Sequence, residues 1–302
     1  MKNNFDTVCI IGLGLIGGSI GLSMKKNNFE SKIIGYAKTE KTLLKAVERG
    51  LVDDAEKSLV KAVDGADLII LATPLSTFRP IIEEIAPFLK KGSIVTDTGS
   101  AKFTVLEELK DLIPSDVEFI PGHPIAGTEE SGPDAGFAEL FDNRWCILTP
   151  TEENSSNAID LIKEFWESIG SKVEIMDPLH HDKVLAITSH IPHLIAFNIV
   201  GTANNLANVT EKEVVKYSAG GFRDFTRIAA SDPKMWSDIF TYNSEAVLEM
   251  LELFSNDLAK LKAAVIKITA AHTAVPFSPP MEDFYIPSTE KITQAIKKLY
   301  HG

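Results

Sequence analysis

Cysteine is nearly absent. Only Cys9 and Cys146 occur in 302 residues, each inside an apolar run that reads as a strand, which excludes a disulfide framework and makes both small buried hydrophobes. Basic charge is in deficit, with 30 Lys and Arg against 42 Asp and Glu and a net charge of -12. Such a chain is a poor partner for a phosphate backbone or an anionic membrane, and a small anionic ligand would need a local basic pocket. No apolar stretch in the sequence approaches membrane-spanning length, and the few residues before the first strand leave no room for a signal peptide, so the cytoplasm is the expected compartment. Internal repeats and low-complexity tracts are also missing. What remains is the composition of a folded globular protein, long enough for two domains with cores of their own.

Along the first half, short β-branched runs alternate with helical stretches: Thr7 to Ile11, Lys32 to Tyr36, Asp67 to Leu71, Ser93 to Asp97 and Glu118 to Ile120. That alternation predicts an α/β, doubly wound, mostly parallel sheet. Two further strands, Trp145 to Thr149 and Lys172 to Met176, flank a helix from about 152 to 169 and are expected to extend the same sheet. Beyond Asp177-Pro178 the pattern turns all-helical, with segments near 179–207, 211–217 and 232–268 and a possible break at Ser255. The expected domains are therefore 1–177 and 178–302. A proline-rich stretch from Ala274 to Ser288 then leads to a short amphipathic helix, Thr289 to Tyr300.

Gly12-Leu13-Gly14-Leu15-Ile16-Gly17 follows the first strand directly and opens a helix. In that context the glycines serve a tight turn, close approach of backbone to a pyrophosphate, and close helix packing, the signature of a Rossmann-type dinucleotide site. Thr73 and Pro74, after the third of these strands, are expected on the same ligand. Where the second strand ends, an acid would bond the ribose 2′-hydroxyl and favour NAD, but Ala37 stands there, followed by Lys38 and Thr39, which could hold a 2′-phosphate. NAD and NADP both stay open.

Four further segments carry polar chemistry. They are Asp97-Thr98-Gly99-Ser100-Ala101-Lys102; Gly122-His123-Pro124-Ile125-Ala126-Gly127-Thr128-Glu129-Glu130-Ser131-Gly132; Ser189-His190-Ile191-Pro192-His193; and Gly220-Gly221-Phe222-Arg223-Asp224-Phe225-Thr226-Arg227-Ile228-Ala229, with Ser231-Asp232-Pro233-Lys234-Met235-Trp236 beyond. Together with the fingerprint these closely resemble the prephenate and arogenate (cyclohexadienyl) dehydrogenases of tyrosine biosynthesis. The resemblance implies hydride transfer from the ring carbinol of prephenate or arogenate to NAD or NADP, with loss of the ring carboxylate as carbon dioxide. It implies His123 as catalytic base, with Ser100 holding it beside the nicotinamide. Ser189, His190, His193 and Thr128 would line the substrate, and a helical domain would join two subunits into a homodimer.

The residues suit that chemistry. A neutral imidazole can accept the carbinol proton. If the fourth segment is helical, Arg223 and Arg227 share a face and can address carboxylates with paired hydrogen bonds; the resemblance gives Arg227 the ring carboxylate. Ser100 also reads as a helix N-cap. His190 and His193 have a spacing that also suits a metal, but base-assisted hydride transfer needs none and Pro192 disturbs the helix such a ligand face requires, so no metal is expected. His180 and His181 read as surface or interdomain residues. A β-hydroxyacid or imine reductase, or a dinucleotide-sensing protein without catalysis, are the competing classes. The choice between prephenate and arogenate, tyrosine feedback, and the role of the chain beyond about Ala264 stay open.

Overall fold

The computed structural model describes residues 5–128, 130–205 and 219–268. It forms two compact units, Met1–Val247 and Leu248–Gly302. The expected helix at 211–217, the proline-rich stretch and the Thr289–Tyr300 helix lie outside the described residues.

In chain order the elements are β1 (Thr7–Ile11), α1 (Leu15–Lys26), β2 (Lys32–Tyr36), α2 (Glu40–Glu48), β3 (Asp54–Glu56), α3 (Leu59–Val63), β4 (Leu68–Leu71), α4 (Phe78–Ile85), β5 (Ile94–Asp97), α5 (Phe103–Leu109), β6 (Glu118–Ile120), β7 (Gly122–Pro124), β8 (Trp145–Leu148), α6 (Ser156–Ser168), β9 (Lys172–Ile175), α7 (Pro178–Leu185), α8 (Ile191–Asn204), α9 (Gly220–Ala229), α10 (Pro233–Tyr242) and α11 (Ser244–Ile268). Six strands form one parallel sheet in the order β3-β2-β1-β4-β5-β6. The order reverses beside β1, so a crevice opens at the carboxyl ends of β1 and β4. Alternation along β1 explains the unbroken apolar runs: Val8 and Ile10 pack with α1, α2 and α6 on one face, Cys9 and Ile11 with α3, α4 and α5 on the other. Each fully buried isoleucine contributes about 2 kcal/mol from apolar area.

β8 and β9 do not extend this sheet, contrary to expectation. They form a second, three-stranded sheet in which β7 runs antiparallel to β8 and β9 parallel to it. Pro121 separates β6 from β7, and a proline offers no N–H to continue a ladder, so the chain turns and β7 pairs with a new partner.

The helical region departs in two ways from the reading of its sequence. The long helix breaks at Asn243 rather than at Ser255: the Asn243 amide donates to the carbonyl of Asp182 at 2.8 Å, and the backbone leaves helical geometry there. From Pro178 to Ala203 the chain is helical without interruption, 26 residues with a mean hydropathy of 1.5 in its most apolar window. By length and composition that helix could cross a membrane, which overturns the expectation that no stretch approaches such a length. Its middle, Ala186–His190, is a π-turn. Pro192 lacks an N–H and its ring crowds the carbonyl four residues back, at Thr188; widening the turn relieves both.

Candidate active site

The glycine turn is built as its spacing predicts. Gly12 has φ +102°, and a Cβ there would lie 2.4 Å from the carbonyl oxygen of Ala72. A Cβ on Gly17 would lie 1.9 Å from the Gly12 carbonyl oxygen, so α1 rests on the turn at a separation only glycine permits. Gly14, extended, precedes the helix; it supplies no side-chain cap, and open space lies in front of it. The first-turn amides of Leu15, Ile16 and Gly17 thus open a cradle suited to a pyrophosphate. Leu13 offers backbone alone, because its side chain is buried against Gly35. Ala37 is buried, Lys38 is exposed, and Thr39 accepts the Thr42 N–H as the cap of α2. Thr73 and Pro74 follow β4 beside Gly12, and Thr73 Oγ1 accepts a hydrogen bond from Thr77 Oγ1 at 2.7 Å.

The polar centre lies past β5. Asp97 and Lys102 form a fully buried ion pair; the Asp97 carboxylate also accepts the Gly99 N–H at 2.8 Å and the Gly122 N–H at 3.2 Å. Burial pushes its pKa up, opposed by the lysine and these amides. Lys102 Nζ donates in addition to the Gly122 carbonyl at 2.7 Å, so one side chain ties the end of β5 to the start of β7 and fixes the backbone that carries His123. Ser100, half-buried between them, does not cap α5. The cap comes from the distant Asp182, whose carboxylate accepts Lys102 N–H at 2.9 Å and Phe103 N–H at 3.0 Å.

His123 is buried, and its Nδ1 lies 2.9 Å from His181 Nε2. His181 Nδ1 lies 2.8 Å from Asp182 Oδ1. Burial holds the His123 pKa well below the ordinary histidine value, with the charges of His181, Lys102 and His190 acting the same way. His181 is itself fully buried, so of its reading as a surface or interdomain residue the surface alternative is excluded, and its contact is with His123 across the expected 177/178 boundary. Asn243 Nδ2 lies 3.0 Å from His190 Nδ1. His190 Nε2 and Trp236 Nε1 are both buried and have no partner among the described residues. Both can hydrogen-bond to a bound polar molecule.

His193 stacks on Trp236 with ring centroids 3.6 Å apart, and its Nδ1 lies 2.9 Å from the Ser189 carbonyl. Its pKa is lowered by burial and by the nearby Arg227 guanidinium, which brings Arg227 to the same cluster. α9 is helical through both arginines, so Arg223 stands one turn away, exposed. Thr128 lies on an exposed loop, where its hydroxyl accepts the Glu130 N–H at 3.2 Å. The structure therefore gathers His123, His190 and His193; Arg227, close enough to act on the charge of His193, is exposed like Arg223 one turn away, and Thr128 lies at the periphery. The polar residues that the sequence did not single out are Lys102, His181, Asp182, Trp236 and Asn243. For the first four the signal was there, since each stands inside or beside a conspicuous motif; for Asn243 there was none.

Residues 20–175 match the family of the prephenate dehydrogenase nucleotide-binding domain, and residues 177–272 that of the prephenate dehydrogenase dimerization domain. The chain is 41% identical over 261 residues to the cyclohexadienyl dehydrogenase of Zymomonas mobilis, covering 86% of this chain and 89% of that protein. The crystal structure of prephenate dehydrogenase from Aquifex aeolicus in complex with hydroxyphenyl propionate and NAD+ superimposes with a TM-score of 0.82 at 36% identity, covering 88% of this chain and 93% of that one. Arogenate dehydrogenase from Synechocystis follows with a TM-score of 0.72 at 31% identity, over 86% and 92% of the two chains. Fold, motif set and both matched domains agree, and the chain belongs to the prephenate dehydrogenase family.

Proposed function

We propose that this chain carries out the oxidative decarboxylation of prephenate to 4-hydroxyphenylpyruvate, and of arogenate to tyrosine, with hydride transfer to NAD or NADP. The observation that carries the reading is His123: an imidazole at the carboxyl end of the parallel sheet, beyond the dinucleotide cradle, kept neutral by burial and hydrogen-bonded through Nδ1 to His181. When bound, the nicotinamide accepts a hydride from the substrate's ring carbinol carbon. His123 takes the hydroxyl proton as the carbinol becomes a carbonyl. The bond to the ring carboxylate then breaks, its electron pair enters the ring, carbon dioxide leaves, and His123 returns the proton to the phenol oxygen. No net proton is released, so a base that borrows and returns one suffices. Arg227, beside His193, supplies the cation for a substrate carboxylate. His193 and His190 line the substrate with Ser189, and Ser100 lies on the path from β5 to the nicotinamide.

The finer assignments are part of the same proposal. Gly12, Gly14, Leu15, Ile16 and Gly17 hold the pyrophosphate with the Leu13 backbone, and Thr73 and Pro74 close the pocket. Ala37 provides no carboxylate and Lys38 is exposed, so either dinucleotide is accepted. The working boundary between the domains lies at 177/178, next to the gap at residue 176 between the two matched families. Two subunits associate through the helical domain, supported by the name of the second matched family and by the exposed Ile187, Ile199, Leu248, Leu253, Phe254 and Leu258. The compartment proposed is the cytoplasm; the Pro178–Ala203 helix buries His181, Asp182 and His190 of the polar cluster, which suits a helix packed in protein rather than one crossing a membrane.

The test is steady-state kinetics with prephenate and arogenate crossed against NAD and NADP. Turnover of either substrate is expected, and His123→Asn should lower kcat about 10²–10⁴-fold while cofactor affinity changes less than about threefold. No turnover in any of the four combinations would end the reading.

A further inference from the structure

We propose that His181 and Asp182 form a positioning pair that fixes the tautomer of His123 and thereby selects its Nε2 as the basic atom. This rests on the reading of His123 as the base; the tautomer itself is a property of the resting protein. The fixed end of the chain is Asp182. Both its oxygens accept backbone N–H groups, from Lys102 and Phe103, so it stands as a carboxylate over the first turn of α5. A carboxylate 2.8 Å from His181 Nδ1 requires a proton on that nitrogen. Burial keeps His181 neutral against the pull of Asp182, and a neutral imidazole carries one N–H, so His181 Nε2 is left with a lone pair. That lone pair lies 2.9 Å from His123 Nδ1 and requires a proton there. His123 is neutral too, so its own lone pair is on Nε2. Each hydrogen bond in this series admits one polarity, and the polarity is set by a carboxylate two residues removed from the base.

The same series prepares for the proton that arrives. When Nε2 binds it, His123 becomes a cation whose Nδ1–H already points at the His181 lone pair, and the carboxylate behind His181 stabilises the added charge. The other charged or titratable groups around His123 are Lys102 from the start of α5, Asp97 from β5, His190 from the π-turn and the Cys146 thiol from β8, which burial keeps protonated. Burial disfavours a resting cation, and His181, Lys102 and His190 act the same way, so the relay acts only while the proton is on loan. Asn243 braces the far side. Its amide donates to the Asp182 carbonyl and to His190 Nδ1, and so holds α7 against the π-turn.

Histidine ¹⁵N NMR of the full-length protein at pH 8 tests this directly, with His123 and His181 signals assigned by difference against His123→Asn and His181→Leu. The expected result is a protonated Nδ1 and an unprotonated Nε2 at His123 in the wild type, and a mixture of tautomers in His181→Leu. A protonated Nε2 at His123, or a His123 tautomer unchanged by His181→Leu, would overturn the proposal. Kinetics supply the second arm: His181→Leu should lower kcat about 10²-fold or more, with KM and cofactor Kd within about threefold. His181→Gln, whose side-chain carbonyl can accept the Nδ1 proton, should recover at least about tenfold of that loss. Equal rates in the Leu and Gln variants would refute the positioning role. The NMR arm is read without turnover, so failure of the proposed reaction and failure of the relay are separable.

Discussion

Acid should destabilise this protein well above the pH at which carboxylates titrate, and His190 sets a minimum for the effect. The ring is almost fully buried. Its Nδ1 faces the Asn243 amide, whose orientation is fixed because the same nitrogen donates to the Asp182 carbonyl. A proton added at Nδ1 would meet another donor, and burial is the largest cause of a pKa pushed down to about 4 from 6.5. The unfolded chain therefore binds the proton more readily than the native one. The stability linked to His190 is fully present above about pH 6.5 and is lost as pH falls toward about 4, at about 1.4 kcal/mol per unit. Between pH 7 and pH 5 the loss from this group is about 2 kcal/mol, a large fraction of the ~5–15 kcal/mol by which domains are stable. His123 and His181, both lowered chiefly by burial, act with the same sign. Urea unfolding of wild type and His190→Gln at pH 7, 6 and 5, followed by tryptophan fluorescence at one protein concentration, isolates the term. The variant starts lower at pH 7, and the gap between the two should shrink by about 2 kcal/mol by pH 5. A gap constant from pH 7 to 5 would refute the argument.

The remaining predictions concern the ligand sites. Gly14→Ala should leave stability within about 1 kcal/mol, since its Cβ enters open space, yet weaken the dinucleotide. Gly17→Ala, with its Cβ 1.9 Å from the Gly12 carbonyl oxygen, should lower Tm as well; dinucleotide titration and thermal melts distinguish the two. Arg227→Ala should raise the substrate KM about 30-fold, for about 2 kcal/mol of lost charge-assisted hydrogen bonding. It should also raise the His193 pKa, which NMR titration reads, because the guanidinium depresses it. Ala37→Asp should move the ratio of NADP to NAD kcat/KM at least about tenfold toward NAD, the carboxylate bonding a 2′-hydroxyl and repelling a 2′-phosphate.

The strands were legible where burial on both faces wrote unbroken β-branched runs, as in β1, β4 and β5, and the glycine fingerprint was legible because its steric demands fall within six consecutive residues. β3 and β7 were not legible. Each is three residues long, one of them Asp-Ala-Glu and the other Gly-His-Pro, too short and too polar or too poor in β-branched residues for a period-2 signal. Missing β7 hid the second sheet, because β8 reads equally well as the next parallel strand until its antiparallel partner is known. The break at Asn243 was hidden for a related reason. Asn243-Ser244 suits the end of one helix and the start of the next, but the same pattern occurs at Ser255-Asn256, and at Asn243 the side chain is held by a carbonyl on α7, 61 residues away.

The site divides along the same line. His123, Arg227 and the π-turn histidines could be named because they stand in dense motifs, but what holds them is long-range and electrostatic. His181 illustrates the difference. The sequence reads His180 and His181 alike as surface or interdomain residues, and His180 is exposed. One residue further along the helix, the side chain points inward, where a buried polar group persists only if each of its atoms finds a partner. Asp182 meets that requirement on one side and His123 on the other, while Asp182 itself is anchored by the amides of α5. The neutrality that suits His123 to take up a proton comes chiefly from burial, while its hydrogen-bonded partners come from residues 58 and 59 positions away in sequence, and both become visible only once α5, β7 and α7 are placed against one another.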